Sequence, residues 1–222
     1  MKLVVLLWLP AAMPAQRGLS LGASAGLALA SVHGADAGQM DAGSGFAGGV
    51  FASLGVSKRL GLEVDVSYAQ KRSTMAVTQP VNGTVTYRFN YIEVPVLIRY
   101  HVLPSARVAP TIVLGLAPAF RLNSTRTSAT WSGSPSSPPT QFVFPKATDV
   151  GVVFGAAVGL PTGQHRVRLD GRYTVGLTRF AGKQFTGTGV VENPALDLKN
   201  GALTVTASYA FNVAPKLLTG GP

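Results

Sequence analysis

Alternation with a period of two residues is the feature that most constrains this chain. In "RVAPTIVLGLAPAFRL", Arg107 to Leu122, the large residues are Val108, Pro110, Ile112, Leu114, Leu116, Pro118 and Phe120. Between them stand Ala109, Thr111, Val113, Gly115, Ala117 and Ala119. Successive side chains of a strand point to opposite faces, so one face here is bulky and the other small. A water-soluble sandwich turns its bulky face inward. A membrane barrel turns it outward, against lipid.

The pattern recurs along the chain. "GLSLGASAGLALASV" puts Leu19, Leu21, Ala23, Ala25, Leu27 and Leu29 on one face, and "GFAGGVFASLGVS" follows with weaker patterning. "LEVDVSYAQ" sets Leu62, Val64, Val66 and Tyr68 against Glu63, Asp65 and Ser67. "YIEVPVLIRY" sets Ile92, Val94, Val96, Ile98 and Tyr100 against Glu93, Pro95 and Arg99. "DVGVVFGAAVGL" sets Val150, Val152, Phe154, Ala156, Val158 and Leu160 against Asp149 and three glycines. "RVRLDGRYTVGLT" sets Val167, Leu169, Tyr173, Val175 and Leu177 against Arg166, Arg168, Asp170 and Arg172. "ALTVTASYAF" sets Leu203, Val205, Ala207, Tyr209 and Phe211 against Thr204, Thr206 and Ser208. The count is about eight strands of ~9–11 residues, the length a tilted membrane strand needs.

Connection lengths alternate too. Residues 57–60, 101–106 and 161–165 read as short turns. Residues 33–45, 73–84, 123–147 and 180–200 read as long polar loops rich in Gly, Ser, Thr and Pro. An up-and-down barrel gathers the short turns at one end and the long loops at the other, as bacterial outer-membrane barrels do. The small-residue face carries charges of both signs: Glu63, Asp65, Glu93, Arg99, Asp149, Arg166, Arg168, Asp170 and Arg172. The expectation is an all-β, eight-stranded antiparallel up-and-down transmembrane β-barrel whose narrow lumen holds these residues as a charge network. Ile92, Val94, Val96, Ile98, Ile112, Leu114, Leu116, Val152, Leu169 and Val205 would face lipid. Tyr100, Tyr209 and Phe211 would mark one interface, and Phe120 with Tyr91 and Tyr68 the other.

Composition agrees. The mean hydropathy is +0.28 with only 13% charged residues, yet no apolar run reaches the roughly 20 residues of a spanning helix. Cysteine is absent, which excludes disulfides, thiolate zinc sites and thiol nucleophiles. The net charge of +10 is dispersed, with "SKRLG" and "GQHRVRLDGR" its densest patches, so nucleic acid is not an expected partner. At the N-terminus, Lys2, the apolar "LVVLLWL" and "PAAMPAQ" read as an export signal cleaved after Ala15. The expected organisation is a signal at 1–15, a barrel at 16–213 and a tail at 214–222, with export to the bacterial outer membrane.

"YIEVPVLIRY" resembles the PorT-like members of the outer membrane protein β-barrel family, small OmpA- and OmpX-like barrels often labelled "porin family". Tyr91, Ile92, Glu93, Val94 and Pro95 match a strand motif of these proteins, and "GLEVDVSYAQK" and "DGRYTVGL" are similar to two further strands. The resemblance implies an eight-stranded outer-membrane barrel and little chemistry. Members usually end on an aromatic, whereas Phe211 here is followed by "NVAPKLLTGGP". Pro95 within a strand removes a ladder hydrogen bond, which calls for local compensation such as a bulge.

Other chemistry is thin. "GSGFAG", Gly43 to Gly48, fits a dinucleotide fingerprint but precedes an alternating strand rather than a helix. His33, His101 and His165 lack metal-ligand spacing. Ser31 and His33 share a face, with Asp36 nearby to orient the ring; a lipid-modifying enzyme would use them, while a simple loop histidine is the plainer reading. Asp36 and Asp41 are read as solvated acids rather than a cation site, and the glycosylation patterns at Asn82 and Asn123 as chance matches. In the long loop 123–147, Trp131, Phe142 and Phe144 pack over the barrel mouth or meet a partner.

The sequence therefore points to a non-enzymatic monomeric barrel with no catalytic residues, no metal and no cofactor. Its partners would be outer-membrane lipid and a protein or glycan met by the extracellular loops, in envelope structure, adhesion or a secretion or surface complex. The alternatives are the Ser31–His33 lipid-modifying barrel and a soluble periplasmic barrel binding an apolar ligand.

Overall fold

The computed structural model describes residues 18–33, 40–77, 82–104, 108–132, 141–144, 147–162, 165–179, 181–186, 189–193 and 199–213. The expected signal and C-terminal tail lie outside them. The described residues form twelve strands: β1 (Leu19–His33), β2 (Met40–Gly55), β3 (Leu60–Val77), β4 (Asn82–Glu93), β5 (Val96–His101), β6 (Ala109–Ser132), β7 (Gln141–Phe144), β8 (Thr148–Thr162), β9 (His165–Arg179), β10 (Ala181–Thr186), β11 (Gly189–Asn193) and β12 (Lys199–Val213).

Nine of these form one antiparallel sheet that closes on itself, because β1 pairs with both β2 and β12. β4 and β5 are two halves of one stave, both lying between β3 and β6. The ring is thus eight staves: β1, β2, β3, β4/β5, β6, β8, β9, β12 and back to β1. Closure leaves no open edge.

The break between β4 and β5 falls at Val94 and Pro95. No residue is inserted there: Ser67 faces Glu93 and Val64 faces Val96 on one side, as Ala119 and Leu116 do on the other. The expected bulge is therefore absent. Asp65 N donates to the Pro95 carbonyl at 2.9 Å, and Val94 N donates to the Pro118 carbonyl at 2.8 Å. Each proline lacks the N–H for the return bond, so each site keeps half of a reciprocal pair. The bond that remains holds the register.

The strands outgrow the expected ~9–11 residues. β3 has 18 residues and β6 has 24. The segments read as long loops are largely paired backbone. β3 continues to Val77 and β4 starts at Asn82, while β6 runs through Ser132. β7, β10 and β11 form a separate three-stranded sheet out of segments read as loops. Polar Ser, Thr and Gly there lack the alternation that marks a half-buried strand, yet their backbone groups still pair across neighbours. Trp131 lies in β6, and Phe142 and Phe144 in β7; their side chains fall outside the described residues.

Burial follows the two-residue period. Leu62, Val64, Val66, Val96, Ile98, Ile112, Leu114, Leu116, Val152, Leu169 and Val205 are all exposed on the outside of the ring. Ile92 and Val94 are half-exposed on that same side. Between these outward positions, alanines such as Ala28, Ala47, Ala69, Ala119 and Ala202 turn inward together with Glu63, Asp65, Arg99, Asp149, Arg168 and Asp170. The interior is less uniformly small and polar than the sequence suggested. Leu97, Val113 and Val153 are fully enclosed and pack with Ala117 and Ala157 into an apolar wall on β5, β6 and β8. Gly115 in that wall stands against Leu97, where a methyl group would meet Leu97 Cδ2 at 2.8 Å. The bulky inward residue is accommodated by the bare backbone beside it.

Candidate functional site: a charged plug across the lumen

β3 and β9 stand four staves apart in either direction round the ring, through β4/β5, β6 and β8 or through β2, β1 and β12. Their inward residues therefore meet across the full diameter. β3 contributes Glu63 and Asp65, and β9 contributes Arg168, Asp170 and Arg172, each pair or triple spaced by two so that all members share the inner face. β5 adds Arg99 from next to β3.

Glu63 is the hub. It accepts from Arg99 Nη2 at 2.7 Å, Arg168 Nη1 at 2.7 Å and Arg172 Nη2 at 3.1 Å. Asp170 accepts from Arg99 Nη2 at 2.5 Å and Arg172 Nη2 at 3.2 Å. Its second oxygen lies 3.6 Å from Arg168 Nε, a charge contact rather than a hydrogen bond. Asp65 holds Arg172 Nη1 at 2.5 Å. Three carboxylates and three guanidinium groups balance to zero charge. Arg168 also donates to Ser208 Oγ at 3.2 Å and lies 4.3 Å over the Phe51 ring. Glu63, Arg99 and Asp170 are each no more than 1% exposed. Guanidinium forks meeting carboxylates in a site shut off from water are the strong form of such pairs. Donors remain in excess, for Arg99 Nε and Nη1, Arg168 Nη2 and Arg172 Nε are enclosed without a partner.

Nearer the long-loop end lies a second inward cluster. Lys71 Nζ meets Glu93 Oε1 at 2.8 Å and sits 4.9 Å over the Tyr91 ring. Asn200 Nδ2 donates to Asp149 Oδ2 at 2.9 Å and to Tyr91 Oη at 3.4 Å, while Asp149 Oδ1 accepts from Thr178 N at 3.3 Å. Tyr91 was expected in the outer aromatic girdle. It is instead completely enclosed in the lumen, because its odd position puts it on the face of Glu93 rather than of Ile92. Replacing Tyr91 by Phe should cost about 0.5–1.5 kcal/mol of unfolding free energy, since one weak hydrogen bond is lost while the ring and its Lys71 contact stay. Urea unfolding of the refolded barrel would show it.

Of the nine charged residues singled out in the sequence, six meet in the plug. Glu93 and Asp149 belong to the outer cluster. Arg166 joins neither; it is exposed at the short-turn end of β9, one residue into the strand, where the lumen opens to solvent. Lys71, Tyr91 and Asn200 were not singled out as lumen residues. Lys71 shares the parity of Glu63 and Asp65 on β3, and that parity is the signal that would have found it.

Tyr100, Tyr209 and Phe211 are exposed at the short-turn end, and Phe120 at the other. His165 stacks on Tyr209 at 5.2 Å between centroids, and His101 Nδ1 is 2.9 Å from Thr111 Oγ1. Ser31 and His33 lie on the outer face beside Gly201, where a methyl group would come within 2.7 Å of Ser31 Oγ and 3.2 Å of His33 Nδ1. Neither ring nitrogen of His33 has a hydrogen-bond partner among the described residues, so the contact to Ser31 that a hydrolase needs is not made. Asp36 lies outside the described residues. Asp41 is exposed, and no group of three metal-ligating side chains occurs among the described residues.

A closed barrel, apolar outside and ionic inside, has the inverse polarity of a water-soluble protein. Such an exposed apolar band is stable only against lipid. These features define an integral membrane β-barrel of the outer-membrane type. The chain belongs to the family of the outer membrane protein beta-barrel domain, whose model matches residues 13–182, and its place is the bacterial outer membrane. No curated protein matches it. Among solved structures it is similar to the outer membrane protein OprG from Pseudomonas aeruginosa, with 10% identity, 90% of this chain and 98% of that one covered, and a TM-score of 0.49. It is also similar to Neisserial surface protein A, with 15% identity, 87% and 96% coverage and a TM-score of 0.42. A third is Ail, the attachment invasion locus protein of Yersinia pestis, with 16% identity, 88% and 99% coverage and a TM-score of 0.42.

Proposed function

We propose that this protein is a non-enzymatic, non-conducting scaffold of the outer membrane that holds its long-loop end on the cell surface for a protein or glycan partner. The observation that carries this reading is the plug. Glu63–Arg168 and Glu63–Arg172 bridge opposite walls of the barrel, and Phe51, Leu97 and Val113 fill the space around them. An ion entering the lumen would have to displace paired charges in an enclosed site. Solute transport through this lumen is thus not its role, despite the "porin family" label given to chains of PorT-like type, the subgroup suggested by the Tyr91–Pro95 motif. The surface-facing end is built to present: paired strands extend beyond the apolar band, and three further strands form their own sheet. Envelope structure, adhesion and service to a secretion or surface complex are the roles such a display supports. Export by a cleaved leader at 1–15 and a monomeric barrel belong to the same reading.

Reconstitution in planar lipid bilayers tests it. The native chain should give no steady open-pore current, whereas a Glu63→Ala, Arg99→Ala double variant that still shows the heat-dependent gel shift should admit small ions. A steady unitary current from the native chain would overturn the plug as a closure.

A further inference from the structure

The outer face of β3, β4 and β6 changes character in steps toward the long-loop end. Tyr68, Ile92 and Phe120 form the last large apolar row that runs across all three strands, since Tyr68 pairs with Ile92 and Ile92 with Phe120, and Leu122 of β6 continues one step beyond it. The next row is amides: Gln70 Nε2 donates to Asn90 Oδ1 at 3.4 Å, and Asn90 Nδ2 donates to Asn123 Oδ1 at 2.6 Å. The row beyond pairs Arg72 with Arg88. Above it Thr74 and Thr86 hydroxyls lie 3.1 Å apart.

Two arginines directly opposite each other on one sheet face repel, and a ladder ordinarily avoids this arrangement. Here neither has an ion-pair partner among the described residues. The Nε of each is enclosed by neighbouring atoms and makes no hydrogen bond among the described residues. The nearest described carboxylate on this face is Asp41, which pairs with Thr74 one row further out, is exposed and makes no salt bridge with Arg72. On the flank of Arg72, Gly43 has no side chain, and a methyl there would press on Arg72 Cβ at 2.8 Å. The pair is thus left cationic, adjacent and accessible from one side.

Its height fits one kind of anion. Arg72 is four residues beyond Tyr68, about 13 Å along the strand, or about 10 Å along the membrane normal at a tilt near 40°. The headgroup layer occupies roughly 5–8 Å beyond the hydrocarbon, and an arginine stem reaches down into it. We propose that Arg72 and Arg88 together bind a phosphate group on a lipid headgroup of the outer leaflet, with the amide row below taking up headgroup hydroxyls. A phosphate oxygen fork suits two neighbouring guanidinium groups and would turn a repulsive pair into a bridged one. The inference rests on the chain's place in the outer membrane and not on the closed lumen, so a conducting barrel would leave it intact.

The test is native mass spectrometry of the full chain refolded in a neutral detergent. The probes are a bisphosphorylated glucosamine-disaccharide lipid, the same lipid without phosphates, and inorganic phosphate. The native chain should retain the phosphorylated lipid on the order of tenfold or more better than the dephosphorylated one. An Arg72→Gln, Arg88→Gln double variant should lose that preference, and Arg88→Lys, which keeps the charge without the fork, should fall between. A Lys58→Gln, Arg59→Gln control carries the same charge change at the opposite end and should match the native chain. The heat-dependent gel shift verifies that each variant is folded. Equal retention of both lipids by the native chain, or undiminished preference in the double variant, would overturn the site. Binding of inorganic phosphate as tight as that of the lipid would overturn the headgroup assignment.

Discussion

Replacing Glu63 with Ala should destabilise the barrel by about 3–5 kcal/mol, the cost of stranding buried charges whose partner has been removed. Glu63 serves Arg99, Arg168 and Arg172 at once, and two of the three also lean on Asp170 through hydrogen bonds. Without it, three positive charges face two carboxylates in an enclosed layer that already has unpartnered guanidinium nitrogens. The unfolding midpoint in urea, followed by tryptophan fluorescence in lipid vesicles, measures the loss. Glu63→Gln keeps the shape and one acceptor oxygen, so it should cost less than Glu63→Ala. If both variants unfold at the native midpoint, the plug does not contribute to stability as a connected network.

Leu114→Arg should cost about 2–4 kcal/mol in a bilayer, because Leu114 sits at mid-height on the outside of β6. It is 53% exposed, between Ile98 on β5 and Phe154 on β8, and all three are apolar. In a water-soluble protein a residue this exposed would tolerate arginine within about 0.5 kcal/mol. The comparison therefore reads the solvent outside the barrel directly. Unfolding titrations of native and variant chains in phosphatidylcholine vesicles give the difference; equality of the two would mean that this face does not touch hydrocarbon.

The two substitutions probe opposite faces of the same alternation, and they differ in how much of their rationale was visible in the chain. That Leu114 and Glu63 fall on opposite faces follows from parity alone. The eight staves, the shared end of the short turns and the outward aliphatic band follow from repeated parity and from the spacing of turns. Tyr91 shows how parity can be passed over in favour of residue type: an aromatic near a strand end suggests a girdle, yet its odd position already placed it beside Glu93. Arg166 shows the reverse, for its parity is that of the plug and only its nearness to the turn excludes it.

What the sequence determined by itself is the face each residue takes, because the side-chain period of a strand is a local property of the backbone. Which charges meet was decided by the tertiary structure alone. Glu63 and Arg168 are 105 residues apart, and only closure of eight staves brings β3 opposite β9. The inward Leu97 and Val113 are tolerated because Gly115 and small alanines lie beside them in the closed ring, a fit no single strand contains. The Arg72–Arg88 pair likewise depends on register between two strands, which hydrogen-bond pairing sets and local pattern does not. The extended outer strands were hidden for the same reason. Polar, Gly-rich backbone has no facial pattern to read, and it is held in strands by its neighbours.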